Sequence, residues 1–157
     1  MNLANLSAVL LGGSLAGALD IIFAISFAAY NGATPVRLLQ TVASGLLGTA
    51  AFTGGVPVAA LGLALHFGMS FLWAGAFLLL AKLVPALVLH PLASGVTFGV
   101  CVFLAMRLVV LPLSAFPYPV TFKPLGTVLD LMSHALLFGV PIAWAIQRAL
   151  VVVPAKA

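Results

Sequence analysis

The chain has 157 residues, of which 64% are hydrophobic and only 5% are charged, and its mean hydropathy is +1.33. Soluble domains carry about 25% charged residues, so this chain is too apolar to cover a water-facing surface. Its net charge of +4 comes from six basic residues that are scattered singly, which argues against a nucleic-acid-binding surface because such surfaces cluster their basic residues. The composition predicts an integral membrane protein with the lipid bilayer as its partner.

Long apolar runs of helix length divide the chain into predicted membrane spans. At about 20 residues per span, we predict an all-α bundle of four transmembrane helices within a single membrane domain, residues 1–157. The N-terminus lacks the basic region of a cleavable signal peptide, so we expect the first helix to remain as a signal anchor. The predicted spans cover residues 9–29, 57–83, 92–111 and 127–148.

The segment 35–52, between the first two spans, is amphipathic. Thr34 and Pro35 form a typical helix start, with Thr as N-cap and Pro at the first helical position. We predict an interfacial or re-entrant helix here, and the alternative is a fifth span, which would place the termini on opposite sides of the membrane. The predicted polar side of this helix consists of Arg37, Thr41, Ser44 and Gly48.

Glycines at helical spacing indicate where the helices approach one another. Asp20 lies near the middle of the first span, where a carboxylate costs roughly 2.5–3.5 kcal/mol. It shares its side of the helix with small residues, which mark close helix contacts, so we expect Asp20 to face the bundle interior. The predicted packing glycines are Gly13, Gly17, Gly62, Gly95 and Gly99.

The ionisable residues within the spans are predicted to occupy one layer. Counted from the non-cytoplasmic boundary, Asp20 and His66 lie about 13 Å deep, and His134 and Arg107 about 7–11 Å deep. We therefore predict an ion pair of Asp20 with Arg107 or with His66. Snorkelling of Arg107 towards the membrane surface is the alternative for that residue. The predicted intramembrane polar cluster consists of Asp20, His66, Arg107, His134 and Asp130.

Asp130 has a second interpretation, as part of a capping box with Thr127 at the start of the fourth span. Pro141, which follows Gly139, predicts a kink within that span. The prolines between residues 112 and 124 predict a non-helical loop before it.

The basic residues predict the orientation of the chain. With four spans, Lys82, Arg148 and Lys156 share one side of the membrane, and Arg37 and Lys123 share the other. Three basic residues against two favour both termini in the cytoplasm under the positive-inside rule.

Several segments resemble YagU-like inner-membrane proteins of bacteria. These are GSLAGALDIIFA with Asp20, VASGLLGTAAFTGG, LGLALHFGMSF with His66, and PLSAFP, so that the resemblance extends from Gly13 to about Pro117. It implies a location in the bacterial inner membrane and an association with survival under acid or envelope stress. The fourth span, with His134, is the least similar part.

Three classes of function are open at this point. The first is a membrane protein in which Asp20, His66 and His134 bind or relay protons or a small solute, since histidine titrates near neutral pH. The second is a haem-binding protein with His66 and His134 as ligands; otherwise no cofactor or metal is predicted. The third is a structural or accessory subunit, either of a homo-oligomer or of a larger membrane complex.

Enzymatic activity is not predicted. The sequence contains neither a GxSxG nor an HExxH motif, and its Ser and His residues suggest no acid–base triad.

Overall fold

A computed structural model describes residues 2–151, which are mostly helical, without any strand in that range. Four of the five helices are long and apolar enough to cross a membrane, and the shorter α2 is the fifth. The predicted all-α membrane bundle is thereby confirmed. The helices are α1 (Leu3–Tyr30), α2 (Pro35–Leu47), α3 (Gly55–Leu83), α4 (Pro91–Leu113) and α5 (Pro124–Val151).

The long helices extend beyond the predicted spans at both ends, except that α3 ends at Leu83 as predicted. α1 begins at Leu3 because the side chain of Asn2 accepts a hydrogen bond from the backbone N–H of Asn5, at 2.9 Å. α5 begins at Pro124, where a proline at the first helical position is favourable. Residues 114–123 between α4 and α5 form no helix, as the prolines there predict.

α2 is too short to span the bilayer. Thr34 caps it as predicted, since its Oγ1 accepts a hydrogen bond from the N–H of Arg37 at 3.1 Å. The 13 residues of α2 reach about 20 Å, whereas a bilayer core is about 30 Å thick. Gly48, with φ of +60°, ends α2, and a 3₁₀ turn (Gly48–Thr53) leads into α3. α2 therefore fits the predicted interfacial or re-entrant helix rather than a fifth span.

The face of α2 that packs inward is small and polar. Gln40, Ala43 and Ser44 are buried, and Gln40 Nε2 donates to the carbonyl of Gly55 at 3.2 Å. Leu46 and Leu47 are exposed instead. This arrangement suits a lipid environment, where small residues allow close packing and polar ones find partners across helices.

α1 and α5 form the centre of the bundle. α1 runs antiparallel to α3, with His66 beside Gly17 and Ser70 beside Gly13. α5 runs antiparallel to α1, because Gly12 lies against Ile142 and Asp20 contacts Ser133. It also runs antiparallel to α4, because Gly95 lies against Val140 and Gly99 against His134. The helices are consequently ordered α3–α1–α5–α4, and the first and last described residues lie at the same end.

The glycines predicted to mediate packing all lie at helix–helix contacts. In α1, Gly13 and Gly17 lie against aromatic rings of α3. Gly62 lies against the backbone of α2, and Gly95 against that of α5. A Cβ at Gly99 would collide with the backbone carbonyl of His134 and lie 2.7 Å from the Cα of Ala135. The α4–α5 contact therefore depends on backbone approach that only glycine permits.

Two wide π-helical segments interrupt the spans, at Met106–Val110 in α4 and Ser133–Gly139 in α5. Each ends two residues before a proline, Pro112 in α4 and Pro141 in α5. Proline has no N–H to donate, and its ring crowds the carbonyl four residues earlier, so a widened turn before it removes the conflict. α5 is helical on both sides of Pro141, and the irregularity predicted there takes the form of this π segment.

We expect Gly99→Ala to lower the free energy of unfolding by about 1–3 kcal/mol, because the added methyl group must displace the backbone of α5. Gly75→Ala is the matched control, since a Cβ at Gly75 in α3 meets nothing within 4 Å. Unfolding of both variants in mixed detergent micelles measures the difference. Equal stability of the two would contradict the α4–α5 contact described here.

Candidate functional site

Asp20 is held in place by a hydroxyl group on the neighbouring helix. Ser133 Oγ of α5 donates to Asp20 Oδ1 of α1 at 2.6 Å. The side chain of Asp20 is only 12% exposed. A buried carboxylate needs such a partner, because the bilayer core offers no water to replace it.

His134 lies one residue further along α5 and points a ring nitrogen at three oxygens. Its Nδ1 lies 2.9 Å from the backbone oxygen of Asp130, 3.1 Å from Asp130 Oδ1 and 3.9 Å from Asp20 Oδ1. Because a backbone carbonyl can only accept, Nδ1 carries a hydrogen in this arrangement. This N–H donates to oxygen atoms of Asp130 and also faces the carboxylate of Asp20, at 3.9 Å on the neighbouring helix.

Arg107 of α4 completes the arrangement. Its Nη2 pairs with Asp130 Oδ2 at 2.8 Å, and its Nη1 donates to the backbone oxygen of Thr121 at 2.8 Å. The guanidinium also lies 5.4 Å from the ring centroid of Phe103 and 5.5 Å from that of Phe122. Arg107 thus attaches the loop of residues 114–123 to the start of α5.

These contacts form one connected set, which we call the polar network: Asp20, Ser133, His134, Asp130 and Arg107. The exposed fraction of the side chain rises from 12% at Asp20 through 17% at His134 and 21% at Arg107 to 35% at Asp130. The network is therefore partly open, and the buried cluster of Asp, His and Arg that the sequence predicts does not form.

Two cavities adjoin the polar network. The first, of about 300 Å³, is lined by His134 and by loop residues that include Phe116 and Val120. The second, of about 390 Å³, is lined by Asp20, Phe23 and Lys123 among others. Arg107, Thr121 and Asp130 line both cavities. The Arg107–Asp130 pair therefore stands between them.

The structure brings together four of the five residues predicted to form a cluster. His66 is the exception, because its Nε2 donates to the carbonyl of Gly17 at 2.9 Å. The predicted pairs of Asp20 with Arg107 and with His66 do not form within residues 2–151; Arg107 pairs with Asp130 instead. A glycine stripe on α1 exposes backbone carbonyls, and His66 binds one of them.

The capping-box interpretation of Asp130 is wrong. α5 begins at Pro124, so that Thr127 lies inside the helix and donates its N–H to the carbonyl of Lys123 at 2.8 Å. Asp130 is free to bind Arg107 and His134.

Sequence reasoning missed Ser133. A signal for it exists, since Ser133 and His134 follow Asp130 at helical spacings of three and four, which places them on one side of a helix.

The arrangement gives no support to a haem between His66 and His134. His66 Nε2 is engaged by the carbonyl of Gly17, and His66 lines neither of the two cavities described above, whereas His134 lines the first. Among residues 2–151, no group of three or more His, Cys, Asp or Glu side chains is placed to hold a metal ion.

No protein-family model matches the chain, and no curated protein or solved structure matches it either. The resemblance to YagU-like proteins therefore stays a prediction that rests on the sequence segments quoted above.

A double-mutant cycle can measure the interaction between Arg107 and Asp130. We expect Arg107→Met and Asp130→Asn each to lower the free energy of unfolding, and the double variant to lower it by less than the sum. The coupling should be on the order of 1–2 kcal/mol, because the pair is charge-assisted and only partly exposed. Additive effects in detergent-induced unfolding would show that the two side chains do not interact.

Proposed function

We propose that this chain is a multi-span protein that binds protons at the polar network and responds to acidity. The observation that carries the proposal is the position of His134, whose Nδ1 faces Asp130 and Asp20 on two helices. Histidine is the side chain whose charge changes between pH 5 and 8 when its surroundings leave it unperturbed.

The chemistry follows from the two ring nitrogens. Nδ1 donates to oxygen atoms, whereas Nε2 makes no hydrogen bond with the residues described. A proton that arrives at Nε2 converts the ring to an imidazolium, whose Nδ1–H faces the carboxylates of Asp130 and Asp20. His134 thereby joins the first cavity, which it lines, to the second, which both carboxylates line.

The charges around His134 come from every element packed at this level. α1 supplies Asp20, α5 supplies Asp130, and α4 supplies Arg107. Lys123, at the end of the loop, lines the second cavity. With His134 neutral, two carboxylates and one guanidinium leave the polar network with one net negative charge, which a single proton neutralises.

Protonation changes the contact that holds the loop. Asp130 is shared by Arg107 and His134 through its two oxygens. When His134 gains a charge, its imidazolium competes with the guanidinium of Arg107 for Asp130, and Arg107 holds the loop through Thr121. We therefore infer that acidity loosens the loop of residues 114–123 from α5.

Proton exchange at one face of the membrane fits the packing better than conduction across it. Beyond Asp20, α1 and α5 meet through tightly packed apolar residues, among which Ala16, Ile142 and Ile146 have no exposed surface. A sensor needs no water-filled path through this region.

The location of the protein forms part of the proposal. The four apolar helices support a membrane in general, and the YagU-like segments suggest the bacterial inner membrane and a role in acid stress. Both described ends of the chain lie at the end of the bundle that carries Lys82 and Arg148, which favours a cytoplasmic position for them. Lys156, the third basic residue of the orientation argument, lies outside the described residues.

Thiol labelling tests the loosening of the loop. In a Cys101→Ser background, Thr121→Cys reports on the loop and Leu89→Cys reports on an exposed site at the other end of the bundle. We expect the ratio of labelling at position 121 to labelling at position 89, in proteoliposomes, to rise on the order of fivefold between about pH 7.5 and 5.5, since about 1 kcal/mol shifts an opening equilibrium by that factor. The ratio removes the common effect of pH on thiolate concentration.

Matched histidine variants complete this test. His134→Gln should remove the pH dependence, whereas His90→Gln, at an exposed histidine of the opposite end, should keep it. A ratio that is independent of pH in the wild-type background would overturn the proposal. That result would favour a structural or accessory subunit, in which the same contacts only hold the helices together.

A further inference from the structure

The second cavity, of about 390 Å³, carries opposite charges on buried and exposed residues. Asp20 is buried, and its Oδ1 accepts a hydrogen bond from Ser133. The Oδ2 of Asp20 makes no hydrogen bond with the residues described. Lys123, on the same cavity, is exposed. An acceptor with unused capacity thus lies deep, and a cation lies near the surface.

The wall of this cavity between the two charges is aromatic. The rings of Phe23 and Phe27 line it and are parallel, with an interplanar angle of 3° and centroids 6.2 Å apart. The lining extends along α1 from Asp20 to Ala28, which corresponds to about 12 Å of helix. Aromatic faces attract ammonium groups when these are desolvated.

Further polar groups on the same cavity have unused hydrogen-bonding capacity. Thr127 Oγ1 is buried without a hydrogen-bond partner among the described residues. Arg107 has five N–H donors, and Asp130 and Thr121 engage two of its nitrogens with one hydrogen bond each. The hydroxyl of Thr127 is the observation with most weight, because unsatisfied buried polar atoms are rare in folded proteins.

We propose that the second cavity binds a small zwitterion, with its ammonium group at Asp20 and the phenylalanine rings and its anionic group at Lys123 and Arg107. Arg107 and Asp130 neutralise each other, so that Asp20 and Lys123 are the unpaired charges of the cavity. A simple cation would leave Lys123 unneutralised, and a simple anion would leave Asp20 unneutralised. The volume lies within the range of about 300–1,000 Å³ that is typical of small-molecule sites.

The zwitterion has two sources, a free solute or the headgroup of an aminophospholipid. A neighbouring cavity of about 490 Å³ shares Phe27, Lys123 and Gly126 with the second cavity and reaches Asn31, just beyond the end of α1. This cleft therefore runs towards the end of the bundle, where lipid headgroups lie.

The binding site goes beyond the proton proposal, although both use Asp20. His134 lines the first cavity and not the second, so zwitterion binding at constant pH does not require its titration. A failure of binding and a failure of the pH response are therefore separate results.

Calorimetry with ω-amino acids of increasing chain length tests the proposal. The protein is placed in phosphatidylglycerol nanodiscs, and the alkylamine and the carboxylic acid of the same length serve as singly charged controls. We expect the zwitterions to bind about tenfold more tightly than either control, a difference of about 1.4 kcal/mol, since each control lacks one charge-assisted contact. Affinity should pass through a maximum with chain length, because both charged groups must be reached.

Two substitutions identify the site. Lys123→Gln should reduce zwitterion affinity to about that of the alkylamine, whereas Lys82→Gln, at an exposed lysine of the opposite end, should leave it unchanged. Asp20→Asn should remove the advantage over the carboxylic acid, and it keeps an oxygen for Ser133. Because Lys123 is exposed, its variant tests the site even if Asp20→Asn fails to fold.

Phosphatidylethanolamine in the nanodiscs distinguishes the two sources. Competition with the amino acid assigns the site to a headgroup, and unchanged affinity assigns it to a free solute. Absence of binding, equal binding of zwitterions and singly charged controls, or an equal effect of the two lysine substitutions would overturn the proposal.

Discussion

The carboxylate of Asp130 holds the guanidinium of Arg107 with one oxygen and the imidazole of His134 with the other. An ionised group among apolar helices has to find its partners within the protein, because the bilayer core supplies no water. This one constraint accounts for much of the surrounding structure. It brings α4 to α5 through Arg107, and it attaches the proline-rich loop through the carbonyl of Thr121. On the other side of α5, the adjacent Ser133 binds Asp20 of α1. Three spans and one loop are thereby joined at a single level, and the two cavities lie on either side of the joining pair.

The geometry of this level depends on helices that are not regular. Arg107 lies in the π segment of α4, and Ser133 and His134 lie in the π segment of α5. Short π-helical turns within α-helices are often found at functional sites, where they redirect side chains. Here each segment ends two residues before a proline, and Gly99 of α4 allows the backbone of α5 to approach at His134. The residues that distort the helices and those that bring them close therefore position the same side chains. A site of this kind can respond to a proton because few contacts hold it, and Asp130 takes part in several of them.

The sequence was sufficient to predict the class of fold. Its four long apolar runs predict four membrane-spanning helices, and the shorter segment between glycines and prolines predicts a fifth helix that does not span. It also indicated the level of Asp20, Arg107 and His134, because distance along a helix converts directly into depth.

The sequence was not sufficient to predict which ionisable side chains pair with one another. The depth of a residue in the membrane does not determine which side of its helix faces a neighbour. His66 hydrogen-bonds to the carbonyl of Gly17 rather than to Asp20. The start of α5 at Pro124 moved Thr127 into the helix and left Asp130 for tertiary contacts. Pro112 and Pro141 are signals from which the π segments could have been predicted. The spacing of Ser133 from Asp130 is a signal for the position of Ser133 in the network.

The central claim is that Nδ1 of His134 carries a hydrogen and faces the carboxylates of Asp130 and Asp20 on two helices. The chain contains only three histidines, so that nitrogen-15 NMR of histidine-labelled protein in lipid can assign each ring by single substitution. The structure predicts a His134 signal with a hydrogen on Nδ1 that shifts in both Asp130→Asn and Asp20→Asn, while the His66 signal keeps its hydrogen on Nε2 in Asp130→Asn. A His134 ring without hydrogen on Nδ1, or one that is unaffected by both substitutions, would contradict the polar network and the proton-binding role based on it.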